Sequence, residues 1–264
     1  MTDWIEKALN ADWELSNDVI PINSNGKIIK IFSDNPKINE LVKKIQTSEN
    51  HRETIEYCAM INVLDPDFIY AYYKKSLAYN ELKEYGEAIR CCKTGLEKND
   101  KRIDFEFGLA WYNKCLKKYE EAIGCCDRSL EIDPNRSRVL GLKAGVLANQ
   151  EKYEEAIGCC DKALALEPTS IILLQIKSSI LIVDNKYEQA IVCYDKALAL
   201  EPNDEELQRE RQDVLKFISS DKKLIESHKE LEELQRERQD ILKIILTNEK
   251  KLRELRANVV KLEK

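Results

Sequence analysis

The chain has 264 residues, of which 43 % are hydrophobic and 34 % charged, and its formal net charge is -6. This balance can bury a core and excludes a wholly disordered chain, while the acidic surplus gives no general footprint for nucleic acid. No apolar run approaches the roughly 20 residues of a membrane span. Residues 1–7 lack the basic start and apolar stretch of a secretory signal, so a cytoplasmic location is expected.

At the N-terminus, Trp4-Ile5-Glu6-Lys7-Ala8-Leu9 has the look of an isolated helix, and Asn23-Ser24-Asn25-Gly26 reads as a turn. Ile28 to Phe32 suits either a short strand or the start of a helix. Residues 1–34 are therefore read as an irregular N-terminal cap. A strict period follows. Tyr85-Gly86-Glu87-Ala88-Ile89 returns at Tyr119, Tyr153 and Tyr187 with an interval of 34 residues and no insertion. Such a period predicts a solenoid, in which each unit buries its apolar face against its neighbours.

Anchored on the recurring Ala, the units span 69–102, 103–136, 137–170 and 171–204, each a helix, a short turn, a second helix and a break. The breaks are Asp65-Pro66, Asn99-Asp100, Asp133-Pro134, Glu167-Pro168 and Glu201-Pro202. Pro holds the preceding residue extended and stops a helix. A degenerate unit at 35–68 precedes them, with Thr54 in the place of the small Ala and His51 in an aromatic packing position. Glu106 sits where an apolar residue is usual.

Nine cysteines fall mostly on the ladder, as the adjacent pairs Cys91-Cys92, Cys125-Cys126 and Cys159-Cys160 with Cys58 and Cys193. Their recurrence points to core filling in a reducing compartment rather than to disulfides. Structural zinc needs four ligands at short spacings, which adjacent helical cysteines do not supply, so no metal site is expected. No cofactor and no catalytic residues are expected either. The two histidines, His51 and His228, lie in different elements, and no Gly-rich phosphate loop is present.

After Pro202, residues 205–218 are read as a capping helix presenting Leu207, Val214 and Leu215 to the last unit. Residues 219–264 carry a heptad pattern on Leu224, Leu231, Leu234, Ile241, Ile245, Leu252, Leu255, Val259 and Leu262, interrupted by Ser227, Arg238 and Asn248. This helix is a candidate for self-association as a homodimer. Its apolar stripe could equally fold back on the chain or hold a partner helix.

The repeated letters resemble the tetratricopeptide repeat in its prokaryotic style, which ends as Cys193 to Pro202 does. Ser76, Ala110, Ala144 and Ser178 match that family's small position on the first helix. Ala88, Ala122, Ala156 and Ala190 match its small position on the second, and Gly95, Ser129, Ala163 and Ala197 the next small site. The resemblance implies an all-α superhelical solenoid of antiparallel helix pairs whose first helices line a concave groove. The groove positions it implies include Asn39 and Lys43, then Tyr70, Tyr73, Leu77 and Asn80. Asp104, Phe107, Trp111 and Lys114 come next, followed by Arg138, Gly141, Gly145 and Asn149. Tyr73, Phe107 and Trp111 would form an aromatic centre flanked by Lys43, Lys114 and Arg138, the residue types that usually carry binding energy. A carboxylate clamp of the co-chaperone kind is not expected, because Asp104 would repel a terminal carboxylate. The expected function is a scaffold or adaptor that binds a protein or peptide partner.

Overall fold

The computed structural model describes residues 33–98, 103–220, 233–239 and 243, and their regular structure is helical. The chain divides into two compact units, Met1–Gln208 and Arg209–Lys264. Among the described residues of the first, ten helices run in order: α1 (Pro36–Thr47), α2 (His51–Leu64), α3 (Ile69–Glu81), α4 (Tyr85–Lys98) and α5 (Ile103–Cys115). Then come α6 (Tyr119–Ile132), α7 (Ser137–Asn149), α8 (Tyr153–Leu166), α9 (Ile171–Val183) and α10 (Tyr187–Leu200). Odd- and even-numbered helices pair as hairpins, and each even helix also packs on the odd helix that follows it. The result is an all-α repeat solenoid.

Helix ends follow from local chemistry. Asn35 and Asn50 cap α1 and α2, each side chain accepting a backbone N–H from the first turn. Asp65 and Asp133 stand before proline and accept the N–H two residues on, which closes the breaks between units. The turns inside the later hairpins share a different device. At Lys83, Lys117, Glu151 and Asn185 the backbone is left-handed, with φ of 57°, 57°, 60° and 58°. At Lys117 the N–H donates to the Lys114 carbonyl at 2.9 Å, and the Lys118 N–H donates to that of Asn113 at 2.8 Å. The same pair of bonds recurs at the other three turns, satisfying carbonyls that a helix end leaves open.

The even helices bury one stripe, as Ala156, Cys160 and Ala163 do on α8. The odd helices are buried on most sides, and every residue of α5 from Phe105 to Lys114 is dry. Between units, a site on the even helix and a position ten residues later interlock. A Cβ added to Gly95 would lie 2.2 Å from Phe105 Cζ, so the large ring occupies the room that glycine leaves. Elsewhere the equivalent pairs are Ile61 with Ala71, Ser129 with Val139, Ala163 with Leu173 and Ala197 with Leu207, all buried. Where one member is large the other is small, which conserves packing volume.

Charges bridge neighbouring units in the same register. Lys143 Nζ meets Asp127 Oδ1 at 2.5 Å, and Lys177 Nζ meets Asp161 Oδ1 at 2.5 Å. Lys152 with Glu120 and Lys186 with Glu154 repeat a second pairing along the array.

The cysteines are core residues with free thiols. Cys91, Cys125 and Cys193 are buried along with Cys58, Cys92, Cys126 and Cys160, while Cys115 and Cys159 are half-buried. Burial pushes the Cys58 thiol up to about 12 and Cys125 to about 11, and raises those of Cys92, Cys126 and Cys160 further. Thr54 is buried at 8 %, where Ala88, Ala122, Ala156 and Ala190 reach 0 %.

Two expectations are corrected here. His51 is exposed on the first turn of α2, where Tyr85, Tyr119, Tyr153 and Tyr187 start their own helices half-buried, because an imidazole is smaller and more polar than a phenol ring. In the helix over 205–220, Leu207 and Val214 are buried but Leu215 is exposed, since it follows Val214 by one residue and so points about 100° away. The Asn99-Asp100 break lies outside the described residues. So do residues 1–32 and the heptad positions Leu224, Leu231, Ile241, Ile245, Leu252, Leu255, Val259 and Leu262. In the second unit, Leu234 lies on the helical stretch 233–239 and is 61 % exposed.

Three measurements test this packing. Gly95→Ala should destabilise the chain by roughly 1–2 kcal/mol, since overpacking outweighs the gain in helix propensity. In a Phe105→Leu background, which copies the Ala163–Leu173 pair, the same change should be neutral or favourable by urea midpoint. Lys117→Gly should stabilise by about 0.5 kcal/mol or more, because glycine removes the left-handed penalty at a small entropic cost. Finally, thiols raised above their ordinary value of 9.0 keep their protons in the folded chain and lose them in the unfolded one. Stability should hold below about pH 9 and fall as pH rises toward 12, by up to ~1.4 kcal/mol per pH unit for each thiol. A Cys92→Ala, Cys126→Ala and Cys160→Ala chain should show a shallower fall in denaturant titrations across that range.

Candidate protein-binding groove

The odd helices carry the expected groove residues. From α3 come Tyr70, Tyr73 and Leu77, from α5 Phe107, Trp111 and Lys114, and from α7 Arg138, Gly141, Gly145 and Asn149. Lys43 is exposed on α1. Asp104, Phe107, Trp111 and Lys114 fall three or four residues apart, hence on one stripe of α5.

Part of the aromatic centre comes together. Lys114 Nζ lies 5.0 Å from the centroid of the Trp111 ring, and the Arg138 guanidinium lies 5.8 Å from that of Phe107. A cation over a ring face gains from the ring's quadrupole, and gains more when water is excluded. Trp111 Nε1 donates to Asn80 Oδ1 at 3.1 Å, which ties α5 to α3 and fixes the indole edge. Tyr73 meets Phe105 edge to face, with centroids 6.4 Å apart. Phe105 is a packing residue, so Tyr73 joins the groove wall to the core beneath it.

Other residues are placed differently. Tyr70 belongs to the separate core between α1, α2 and α3, packed edge-on against Phe68 at 6.3 Å. Burial pushes its phenol up to about 12. Its ring supports the first interface rather than the aromatic centre, although Lys74 Nζ sits 5.8 Å from the ring centroid. Gly141 and Gly145 are buried, and Arg138 and Asn149 are half-buried.

Three polar arrangements were not legible beforehand. Glu106 is buried and accepts from Arg128 Nε and Nη2, both at 2.8 Å, in a bidentate pair between α5 and α6. Arg128 Nη2 also reaches Cys125 Sγ at 3.1 Å. The odd placement of Glu106 was the signal, and the missing half was a cation 22 residues on. Near the wall, Asp104 faces Arg136 at 3.5 Å, which offsets part of its negative charge. On α1, Asn39 Oδ1 accepts from the Ser33 N–H at 2.7 Å, and its Nδ2 donates to the Ser33 carbonyl at 2.8 Å.

Among the described residues, no group of three or more His, Cys, Asp or Glu side chains is placed to hold a metal ion. Among them, too, no helix is long and apolar enough to cross a membrane.

The chain matches the family model described as "Tetratricopeptide repeat" over residues 69–99. It matches "Anaphase-promoting complex, cyclosome, subunit 3" over residues 115–197. No curated protein matches the chain. Solved structures share the fold at low identity. MamA from Desulfovibrio magneticus is similar at 16 % identity, covering 66 % of this chain and 99 % of that one, with a TM-score of 0.59. TTC0263, a thermophilic tetratricopeptide protein of Thermus thermophilus, is 16 % identical over 68 % of this chain and 97 % of its own, with a TM-score of 0.56. YrrB, described as a tetratricopeptide protein with an unusual peptide-binding site, is 19 % identical over 69 % of this chain and 93 % of its own, with a TM-score of 0.55. Residues 69–99 thus match the tetratricopeptide-repeat model, and the solved neighbours share the all-α repeat-solenoid fold.

Proposed function

We propose that the protein is an interaction scaffold whose groove captures a peptide or helix of a partner protein. The observation that carries this reading is the cluster on α5 and α7, where Trp111 and Phe107 lie under Lys114 and Arg138 beside a wall opened by Gly141 and Gly145. Aromatic and Arg anchors in a sheltered centre are the residues that most often dominate binding energy. Glycines remove side-chain bulk and let a partner backbone come close. The solenoid offers this wall as a rigid surface, so little ordering cost falls on the protein's side of the interface.

The similarities support the same class of activity. YrrB is described as having a peptide-binding site, and the family matched over residues 115–197 is named for a subunit of a multi-protein complex. A non-catalytic scaffold in the cytoplasm follows as part of this reading. The heptad tail, with its apolar positions from Leu224 to Leu262, supplies a second contact as a homodimer helix or a docking helix. Two linked sites raise effective concentration without new contacts, so such an adaptor works by avidity and positioning.

Panning a displayed peptide library on the full chain should enrich a shared motif, and a synthetic peptide carrying it serves as the probe. Trp111→Ala should weaken that peptide by about 2 kcal/mol, roughly 30-fold, and Arg138→Ala by a smaller factor. Circular dichroism confirms that each variant remains folded. Unchanged affinity in both variants would move the binding site off this wall.

A further inference from the structure

An open groove leaves its wall wet, yet the central stripe of this wall is dry. Trp111 and Lys114 are each 5 % exposed, and Phe107, Gly141 and Gly145 are buried with them. The helices packed on α5 among the described residues are α4 and α6, with α3 and α7 alongside. In a tetratricopeptide solenoid these lie behind and beside the stripe formed by Phe107, Trp111 and Lys114. None of them crosses it.

A second observation concerns how the chain reaches the wall. Asn39 stands on α1 at a groove position, and its side-chain amide bonds both the N–H and the carbonyl of Ser33. A side chain that satisfies both backbone groups of one residue holds chain as a groove holds a peptide. Ser33, where the described chain begins, is therefore held on the face of α1 that carries Asn39.

Their chemistry suits the wall. Residues 1–32 carry five carboxylates (Asp3, Glu6, Asp12, Glu14 and Asp18), all within 1–20, against three cations, Lys7, Lys27 and Lys30, so five less three leaves a net charge of -2. The wall and its rim carry Lys43, Lys74, Lys114 and Arg138. Trp4, Ile5, Leu9 and Trp13 recur at helical spacing and supply an apolar face for Tyr73, Phe107 and Trp111. Length is also sufficient. At ~1.5 Å per residue, 32 residues reach about 48 Å even as a helix, while five odd helices set ~8–10 Å apart span about 40 Å.

We propose that residues 1–32 occupy the groove of their own chain. The proposal rests on the groove reading and adds its occupant. A tethered segment competes at an effective concentration on the order of millimolar, so a free partner meets a site whose open fraction is small. A partner that displaces it must offer the same chemistry in a better form, as an acidic segment with Trp or large aliphatic anchors.

Zero-length carbodiimide coupling of the full chain tests the contact. It joins a carboxylate to a lysine amine only where the two already touch. Within single chains, amide links are expected from Asp3, Glu6, Asp12, Glu14 or Asp18 to Lys43, Lys74 or Lys114. Their absence overturns the proposal. So does their appearance solely between chains in a mixture of ¹⁴N and ¹⁵N protein, which would assign the groove to a second copy. As a second readout, a fluorescein-labelled peptide of residues 1–32 should bind full-length Trp4→Glu/Trp13→Glu at least tenfold tighter than wild type. Equal affinity overturns the cis occupant. The groove reading is judged separately by the library-derived peptide and Trp111→Ala, so it can stand while this proposal falls.

Discussion

The interlock between an even helix and the position ten residues later is the constraint on which the array depends. Every hairpin has a stripe it cannot cover alone, and the next hairpin's first helix is its lid. The fit is set pair by pair. Gly95 takes Phe105, and at the equivalent buried positions Ser129 and Ala163 stand with Val139 and Leu173, while Ile61 with Ala71 reverses the order of sizes. Because contacts run between neighbours, such interfaces add along the chain, and one poor fit is a local weakness with global effect. The ion pairs from Lys143 to Asp127 and from Lys177 to Asp161 lie across the same junctions. Each has an exposed partner, so they fix register more than they add stability.

The third unit departs from its neighbours in a way that follows from that constraint. Phe105 fills the space at Gly95, Tyr112 stacks near Tyr85 with centroids 6.4 Å apart, and the Tyr112 hydroxyl donates to the Ser76 carbonyl at 3.2 Å. These contacts fix α5 on one side while Glu106 and Arg128 fix it to α6 on another. A carboxylate this dry is costly without its partner, so the bidentate pair specifies how α5 sits rather than merely strengthening it. With three sides committed, the stripe carrying Phe107, Trp111 and Lys114 has one direction left to face.

Most of the fold was legible because periodicity reports burial directly. The 34-residue interval, the small residues and the Pro breaks gave the hairpins and their order. What escaped was chemistry that depends on partners distant in sequence or on backbone geometry. His51 starts its helix where Tyr85, Tyr119, Tyr153 and Tyr187 start theirs, but its smaller, more polar ring stays wet where theirs are half-buried. Lys83, Lys117, Glu151 and Asn185 share a left-handed backbone without sharing glycine, the letter that would announce it. Tyr70 and Tyr73 look alike three residues apart, yet one serves the first interface and the other the groove wall. A helical position names a face, and what that face meets is set by the neighbouring unit. Asn39 was legible as a position on the first helix of its unit, but its bond to Ser33 was not, since an amide's role depends on which backbone arrives.

Groove contacts differ in kind from the interlock. Interlocks tie a unit to the next one, whereas anything lying along the wall touches α3, α5 and α7 together. Trp111 already reaches back to Asn80 and Phe107 forward to Arg138, so the wall itself joins three units through side chains. A segment laid across them extends that coupling, making the central units open and close as one rather than independently. On the proposed reading, binding and stability share residues. The same rings that would anchor a partner also bind the middle of the array together when they are covered, and a partner that replaces the cover restores the tie it removes.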